Sequence, residues 1–453
     1  MTRVAKKTRK VVLGAPDGRI TPRAGLHLVA KLDKLLGITA TIDGAGPPFK
    51  RRQRGLMLGG VMMALAETML AGGDFLSDLD HQRKDQVGLQ LRAVPNLPAS
   101  TTVIGLGKRF DELARAHVEQ ANATLVKGVF GLLPEKRRAD LAAQRPTIDL
   151  DPTDTEVYGR KKRGSDFNYQ GQRVYRPHPA VWAEAGWALA ADFGSGRSDP
   201  RPQAPALLAR AISALPAGLS RPIVRADSGF FDAKLATAAL TLHCDYAIAV
   251  KRTDAVWRAE RKIPGGDWQR AIGMDAEVAE CDYVPKGWPK GSRTICRRVK
   301  VTAAELSSDP RSRRRRTIDP NQLSLLTSGE ADFAYAYSFI ITNLSGDIVD
   351  IEAWFRMRAR PCRGEDQGFE TGSRYAPHAI RLRVGERDVD VGRTARAQHL
   401  VVAAGADRSR RERRTRPRQA SSTRARMHSG TRHEPRWTAR GPYITRRSSR
   451  VLR

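Results

Sequence analysis

The chain has 453 residues, with 79 Lys and Arg against 48 Asp and Glu, for a net charge of +31. That length accommodates about two or three domains with a substantial core. The charge argues against an ordinary metabolic enzyme and points to a polyanionic partner, nucleic acid first. No run of about 18 apolar residues is present and no basic amphipathic helix adjoins one, so no membrane partner is expected.

The first 20 residues form a basic leader that lacks the apolar middle of a secretion signal. Cys244, Cys281, Cys296 and Cys362 fall at no metal-ligand or disulfide spacing, so reduced thiols in a cytoplasmic chain are expected. Residues 21–145 predict a helical N-terminal domain. AGLHLVAKLDKLLGI, LMLGGVMMALAETMLAGGDFLSDLD and GKRFDELARAHVEQANATLVKGVFGLL repeat apolar residues at three- and four-residue steps. In NLPASTTV, Pro98 and Ser100 stand where a helix can be entered and capped. Basic chains with short N-terminal helices invite a DNA-end-binding reading, yet no recognition helix stands out, and a plain packing domain fits equally well.

From residue 146 the texture changes to strands. TIDLD alternates polar with apolar residues, and NYQGQRVYRP and AEAGWALAADFGSG read as further strands with Gly turns. ALLARAISALP predicts a helix, PIVRADSGF a strand, FDAKLATAALTL a helix and CDYAIAVKR a strand. The alternation predicts an α/β core over residues 146–250. Residues 251–334, with GGDW, PKGWPKGSR, TICRRVKVT and RSRRRR, read as a β-rich insertion with charged loops. YAYSFIITNL can then return to the core sheet, and IVDIEAWFRMRAR predicts a helix, so that residues 335–360 complete the core. Beyond residue 361 lysine is absent, arginine is dense and apolar periodicity is lost, the composition of a disordered basic arm.

Two acidic positions end apolar strands. Asp149 and Asp151 are two apart, hence on one strand face, and Pro152 follows them. Asp227 sits in PIVRADSGFF, before Gly229. Carboxylates at the C-terminal ends of neighbouring strands converge where α/β sheets place their sites. Two or three of them can hold Mg²⁺, a hard ion that takes oxygen ligands. Two such ions about 3.5–4 Å apart can drive phosphoryl transfer. The bland alternative is that these aspartates only cap turns. Arg160, Lys161, Lys162, Arg163, Arg173 and Arg225 are the nearby phosphate-binding candidates, with solvated surface as the alternative for all but Arg225. Thr153 either orients a carboxylate or begins a turn. His178, between prolines, is better placed for structure than for ligation, and Trp182, Trp187 and Trp257 for packing than for base stacking.

At IDLDPTDTEVYGRKKRGSDFNYQGQRVYRPH, VWAEAG, VRADSGFF, AIAVKR, YSFIITNL and AWFRMR, the chain resembles an insertion-sequence DDE transposase of the insertion-sequence 1380 family. The likeness runs over roughly residues 20–360. It implies a ribonuclease-H-like core, with a β-rich insertion between the second and third catalytic acids. It further implies cut-and-paste chemistry with two Mg²⁺ or Mn²⁺ ions, DNA partners (terminal inverted repeats and target), a homodimer on DNA and a bacterial, nucleoid-associated location. Carried over residue by residue, the first acid is Asp151, with Asp149 its alternate and Thr153 completing Asp-x-Thr. The second acid is Asp227.

The third acid departs from the pattern. Relatives carry Tyr, two residues, Arg, three residues, Glu, six residues and Lys on one helix. Here Phe355 stands for the Tyr and Arg358 for the Arg. Cys362 then occupies the Glu position and Phe369 the Lys position, while Glu365 is near but out of phase. A frameshift near residues 359–362 accounts for this. CRGEDQGFETG can be encoded so that reading one base later yields Val-Glu-Glu-Arg-Ile-Lys-Asp-Ser-Lys-Leu, and the same offset turns RDVDVGRTARA into an apolar helix. The competing account is a selected Arg-rich DNA-binding arm. The expected product is therefore a transposase lacking its third acid. The alternatives are a non-catalytic DNA-binding inhibitor of transposition and a ribonuclease-H-like nuclease.

Overall fold

The computed structural model describes residues 20–46, 55–157, 162, 164–168, 170–307, 314–359, 381–384 and 387–390. Its N-terminal part is helical: α1 (Leu26–Leu36), α2 (Ile38–Gly44), α3 (Leu58–Leu70), α4 (Ser100–Gly107) and α5 (Glu112–Leu132) lead this region. α3 is buried from Leu58 to Met69, as a helix with apolar or small residues on nearly every side should be. Gly59 allows this close packing, because a Cβ there would lie 2.1 Å from the Thr39 carbonyl oxygen of α2. The one charged residue inside α3, Glu67, pairs with Arg92 at 3.1 Å and accepts the Ala93 N–H at 2.7 Å. Ser100 differs from its expected capping role. Ala99 is the N-cap, and Ser100 is instead the first helical residue, its N–H donating to Asp80 at 3.0 Å.

α5 joins this region to the sheet. Asp111 caps it by accepting the Ala114 N–H at 2.9 Å. Its Val118 belongs to the helical core, whereas Val126, two turns on, belongs to the core of the sheet. Asn122 donates to the Ala188 carbonyl at 2.8 Å across the same junction.

The sheet contains β1 (Thr147–Leu150), β2 (Arg173–Trp182), β3 (Trp187–Ser195), β4 (Ile223–Ala226), β5 (Asp245–Ala249), β6 (Glu277–Cys281), β7 (Arg293–Thr302) and β8 (Phe333–Thr342). Their spatial order is β3–β2–β1–β4–β5–β8–β7–β6. β3, β2 and β1 are antiparallel neighbours, β1, β4 and β5 run parallel, and β5 through β6 alternate again. The fold is thus α/β with a mixed sheet behind a helical N-terminal region. The β8 segment does return to the core, pairing Ile340–Thr342 with Ala247–Ala249. β6 and β7 extend this same sheet through β8. Between residues 251 and 334 there are also helices: α8 (Asp254–Glu260), Ala303–Ser307 and Pro320–Ser328. Each is nine residues or shorter, too brief for apolar repeats to show in the sequence.

Strand alternation sorts the sheet into two faces. Ile148, Leu150, Val224, Ala226, Tyr246 and Ile248 are all fully buried on one face. They pack with Leu207, Leu208 and Ala211 of α6 (Ala204–Ala214) and with Leu235 and Ala236 of α7 (Ala233–Thr241). Complete burial of one such aliphatic side chain stabilises the fold by about 1.5–3 kcal/mol. The opposite face carries Asp149, Arg225 and Ala247 in register. It is covered by α9 (Ile348–Arg356), whose Phe355 packs on Ala247 and Ile340.

Candidate active site

β1 and β4 are adjacent and parallel, with Leu150 opposite Ala226. The next residue of each strand is an acid, so Asp151 and Asp227 leave the sheet side by side at its C-terminal edge. Pro152 follows the first, and Asp227 caps the 3₁₀ turn Ser228–Phe230, its Oδ1 accepting the Gly229 N–H at 2.8 Å. Asp151 Oδ1 accepts from Arg358 Nη1 at 3.0 Å. The Asp151 side chain is 51% exposed, with Arg358, from the turn that follows α9, on one side of it. Burial raises its carboxyl to about 6; Arg358 pulls it down, and the neighbouring Asp227 and Asp149 push it up. The repulsion between two neighbouring carboxylates, one of them partly desolvated, is what a bound cation would relieve.

The residues two positions earlier form a different pair. Asp149 faces Arg225 across the same parallel ladder, and their side chains are 2% and 4% exposed. Arg225 Nε donates to Asp149 Oδ1 at 2.6 Å and Nη2 donates to Oδ2 at 2.8 Å, a bidentate fork. Nη1 donates to the Trp354 carbonyl at 2.5 Å, and the guanidinium lies 4.9 Å from the centroid of the Trp354 ring. In this geometry both oxygens of Asp149, the alternate first acid, are taken up by Arg225, and Arg225, expected among the phosphate contacts, is buried against Asp149.

The other predicted residues fall as follows. Arg160, Lys161, Arg163, Cys362 and Glu365 lie outside the described residues. Lys162 is buried, and its carbonyl accepts from Ser165 Oγ and Arg173. Arg173 also donates to Ser165 Oγ at 2.8 Å and so shapes the turn beside β2. Thr153 donates its N–H to the Pro177 carbonyl at 2.9 Å, extending the β1–β2 pairing past the acid. Phe355 is buried under α9, and Arg358 stands 5.9 Å from its ring centroid. Trp182 and Trp187 meet edge to face in the core at 5.6 Å, and Trp257 packs on Tyr337 and Phe339, all in agreement with packing roles.

His178, 1% exposed, faces the apolar side and stands edge-on to Phe230 at 6.1 Å. Burial lowers it to about 4, with Arg176 acting in the same direction, so it is neutral at pH 7. Neither ring nitrogen has a hydrogen-bond partner among the described residues.

The sequence reading missed Trp354 and the Asp149–Arg225 pair. A signal for the pair was present: DLD and RAD share one spacing, so aligning the acids on parallel strands also aligns Asp149 with Arg225. Nothing in the sequence marks the Trp354 carbonyl.

Asp151 and Asp227 each keep one carboxylate oxygen without a partner among the described residues. That donor set fits a hard divalent ion, which commonly takes one or two carboxylates together with waters and substrate phosphate. Among the described residues no group of three His, Cys, Asp or Glu side chains gathers, so a third protein ligand is not at hand there. No described helix is long and apolar enough to cross a membrane.

A family model described as "Transposase DDE domain group 1" matches residues 4–309, a span that includes both acids and ends before β8 and α9. No curated protein matches the chain. Among solved structures, a cryo-EM structure of the piggyBac transposase synaptic complex with hairpin DNA aligns with a TM-score of 0.35 and 10% identity, over 87% of this chain and 78% of that one.

Proposed function

The chain belongs to the transposase DDE domain group 1 family, and from that premise we propose that Asp151 and Asp227 are the first two acids of a metal-dependent phosphodiester site acting on the ends of a mobile DNA element. One observation carries this reading: the parallel β1–β4 register makes the two acids the next residues after adjacent strands. The antiparallel β3–β2–β1 run followed by parallel β4 and β5 supports a ribonuclease-H-like core. A bound Mg²⁺ or Mn²⁺ would polarise the phosphoryl oxygen and lower the pKa of an attacking water. The residues of the chain divide the remaining work. Asp151 and Asp227 would hold the ion, Arg358 neutralises Asp151 when none is bound, and Phe355 seats α9 on β5 and β8. The helical residues 21–145 and the basic stretch at Arg160, Lys161 and Arg163 are the proposed DNA contacts, with residues 251–334 as the insertion.

We further propose that this product has lost its third acid by a frameshift near residues 359–362 in an insertion-sequence 1380 type gene. α9 ends at Arg356 and the 3₁₀ turn Met357–Ala359 follows it, so the described helix stops short of Cys362. The gene sequence tests the slip, since codons that cannot yield Glu in the neighbouring frame refute it. Function is tested by Mg²⁺-dependent cleavage of the element's terminal repeats by this chain and by a frame-restored version. We expect cleavage only from the restored chain, abolished there by Asp227→Ala. Robust cleavage by the present chain would overturn the loss. Binding of the ends without cleavage, weakening steeply with salt, is the outcome for a DNA-binding inhibitor.

A further inference from the structure

We propose that Arg225 is a positioning residue that fixes the C-terminal end of α9 against the two acid-bearing strands. This inference rests on the assignment of Asp151 and Asp227 as the acids. Arg225 is the point where three elements meet: it sits on β4, grips Asp149 of β1 with two nitrogens and spends the third on the Trp354 carbonyl of α9. That carbonyl lies in the last turn of α9, where it also accepts the Met357 N–H and the helix end is partly negative. The Arg225 guanidinium adds a second, charged donor to it, and its plane can also lie against the Trp354 ring.

A second arginine acts in the reverse direction. Arg358, four residues beyond Trp354, reaches from the helix end back to Asp151. Together the two side chains clamp the end of α9 to the acid edge, one from the sheet and one from the helix. Arg358 can release Asp151 to a cation while Arg225 still holds the helix. Whatever follows Ala359 therefore departs from a point set by Arg225. The bland alternative is that Arg225 merely neutralises buried Asp149, which alone would justify its burial.

The two accounts separate in a charge swap. In the Asp149→Arg, Arg225→Asp double variant the β1–β4 ion pair survives. Its guanidinium now starts one strand, roughly 4.8 Å, further from β5 and β8, the strands on which α9 rests. Full-length wild type, the double variant and Arg225→Lys are compared by urea midpoint, by amide hydrogen exchange of peptides covering 348–359 and by Mn²⁺ binding followed by electron paramagnetic resonance. The double variant should keep a midpoint near wild type while exchange over 348–359 accelerates about tenfold and Mn²⁺ binds more weakly. Arg225→Lys, which keeps the charge but loses the fork and the ring contact, should show the same acceleration, and it decides the question if the swap fails to fold. Wild-type exchange over 348–359 in either folded variant overturns the positioning role. Asp151→Asn is the separate control for the acids. If Mn²⁺ binding does not depend on Asp151, the acid assignment fails, and the exchange result alone then decides what Arg225 does.

Discussion

Ile148, Leu150, Val224, Ala226 and Ile248 point to one face of the central sheet, while Asp149 and Arg225, followed by Asp151 and Asp227, belong to the other. The first face is covered by α6 and α7 through leucine and alanine contacts and needs no charge to hold it. The second is covered by α9, held there by its Phe355, by Arg225 from the sheet and by Arg358 from the turn that follows the helix. Stability is concentrated on the apolar face, and the charged face gives up stability for the ability to hold two carboxylates close together. A pair such as Asp149–Arg225 is weak as a source of stability, because desolvation offsets most of its attraction. It is nonetheless costly to break, and it defines where things sit.

The comparison predicts that the largest stability loss comes from the apolar face. Trp182 is fully buried and packs on Phe130 and Trp187. Trp182→Ala should cost about 3–5 kcal/mol in urea unfolding. A loss under about 1 kcal/mol would mean that this face is not the main stabilising layer.

His178 makes the same face sensitive to acid. Its folded pKa of about 4 lies below the ordinary 6.5, so between those values the unfolded chain binds the proton and the native chain does not. Stability should fall as pH drops from about 7 to 4, by up to about 3 kcal/mol from this residue alone. His178→Leu should remove that part of the pH dependence, as read from urea midpoints at pH 7 and 4.

Asp151 acts with the opposite sign. Its folded pKa is raised from 3.8 to about 6, so here the native chain holds the proton and stability declines as pH rises through that window. The full shift, discounted for a half-exposed side chain, leaves a penalty of about 1 kcal/mol at neutral pH. Asp151→Asn should therefore raise stability at pH 7 by about that amount and change it little at pH 4, the behaviour of a residue kept for function. An Asn variant less stable than wild type at pH 7 contradicts this account of the charged face.

These differences bear on what could be read from the sequence. The main strand segments, the helical N-terminal region and the acid-bearing strand ends were legible, because period and turn residues act locally. TIDLD and PIVRAD announce both the strand and the acid that ends it. Partner choice was not legible in the same way. Arg225 stands beside an acid in a basic chain and reads as a phosphate contact; only the register, which joins residues 76 positions apart, turns it inward onto Asp149. Its third bond, to a carbonyl 129 residues away, leaves no trace in side-chain chemistry at all. Residues 251–334 were legible as strands, but their short helices were not.

The smallest expected effect tests whether the two acids share one site. Asp227 keeps its link to Gly229 through an oxygen that asparagine also offers, so Asp227→Asn should change stability by less than about 0.5 kcal/mol. Its consequence should appear at Asp151 instead. The charge on Asp227 is one of the influences that raise the Asp151 carboxyl, so removing it should lower the pH at which Asp151 titrates. Carboxyl-carbon NMR of selectively labelled aspartate, compared between wild type and Asp227→Asn without metal, follows that titration directly. Mg²⁺ added to wild type should move it the same way, by competing with the proton for the same oxygens. If Asp151 titrates identically in wild type and Asp227→Asn, the acids do not sense each other and cannot form one cation site. The charged face would then be a set of separate surface carboxylates around a structural ion pair.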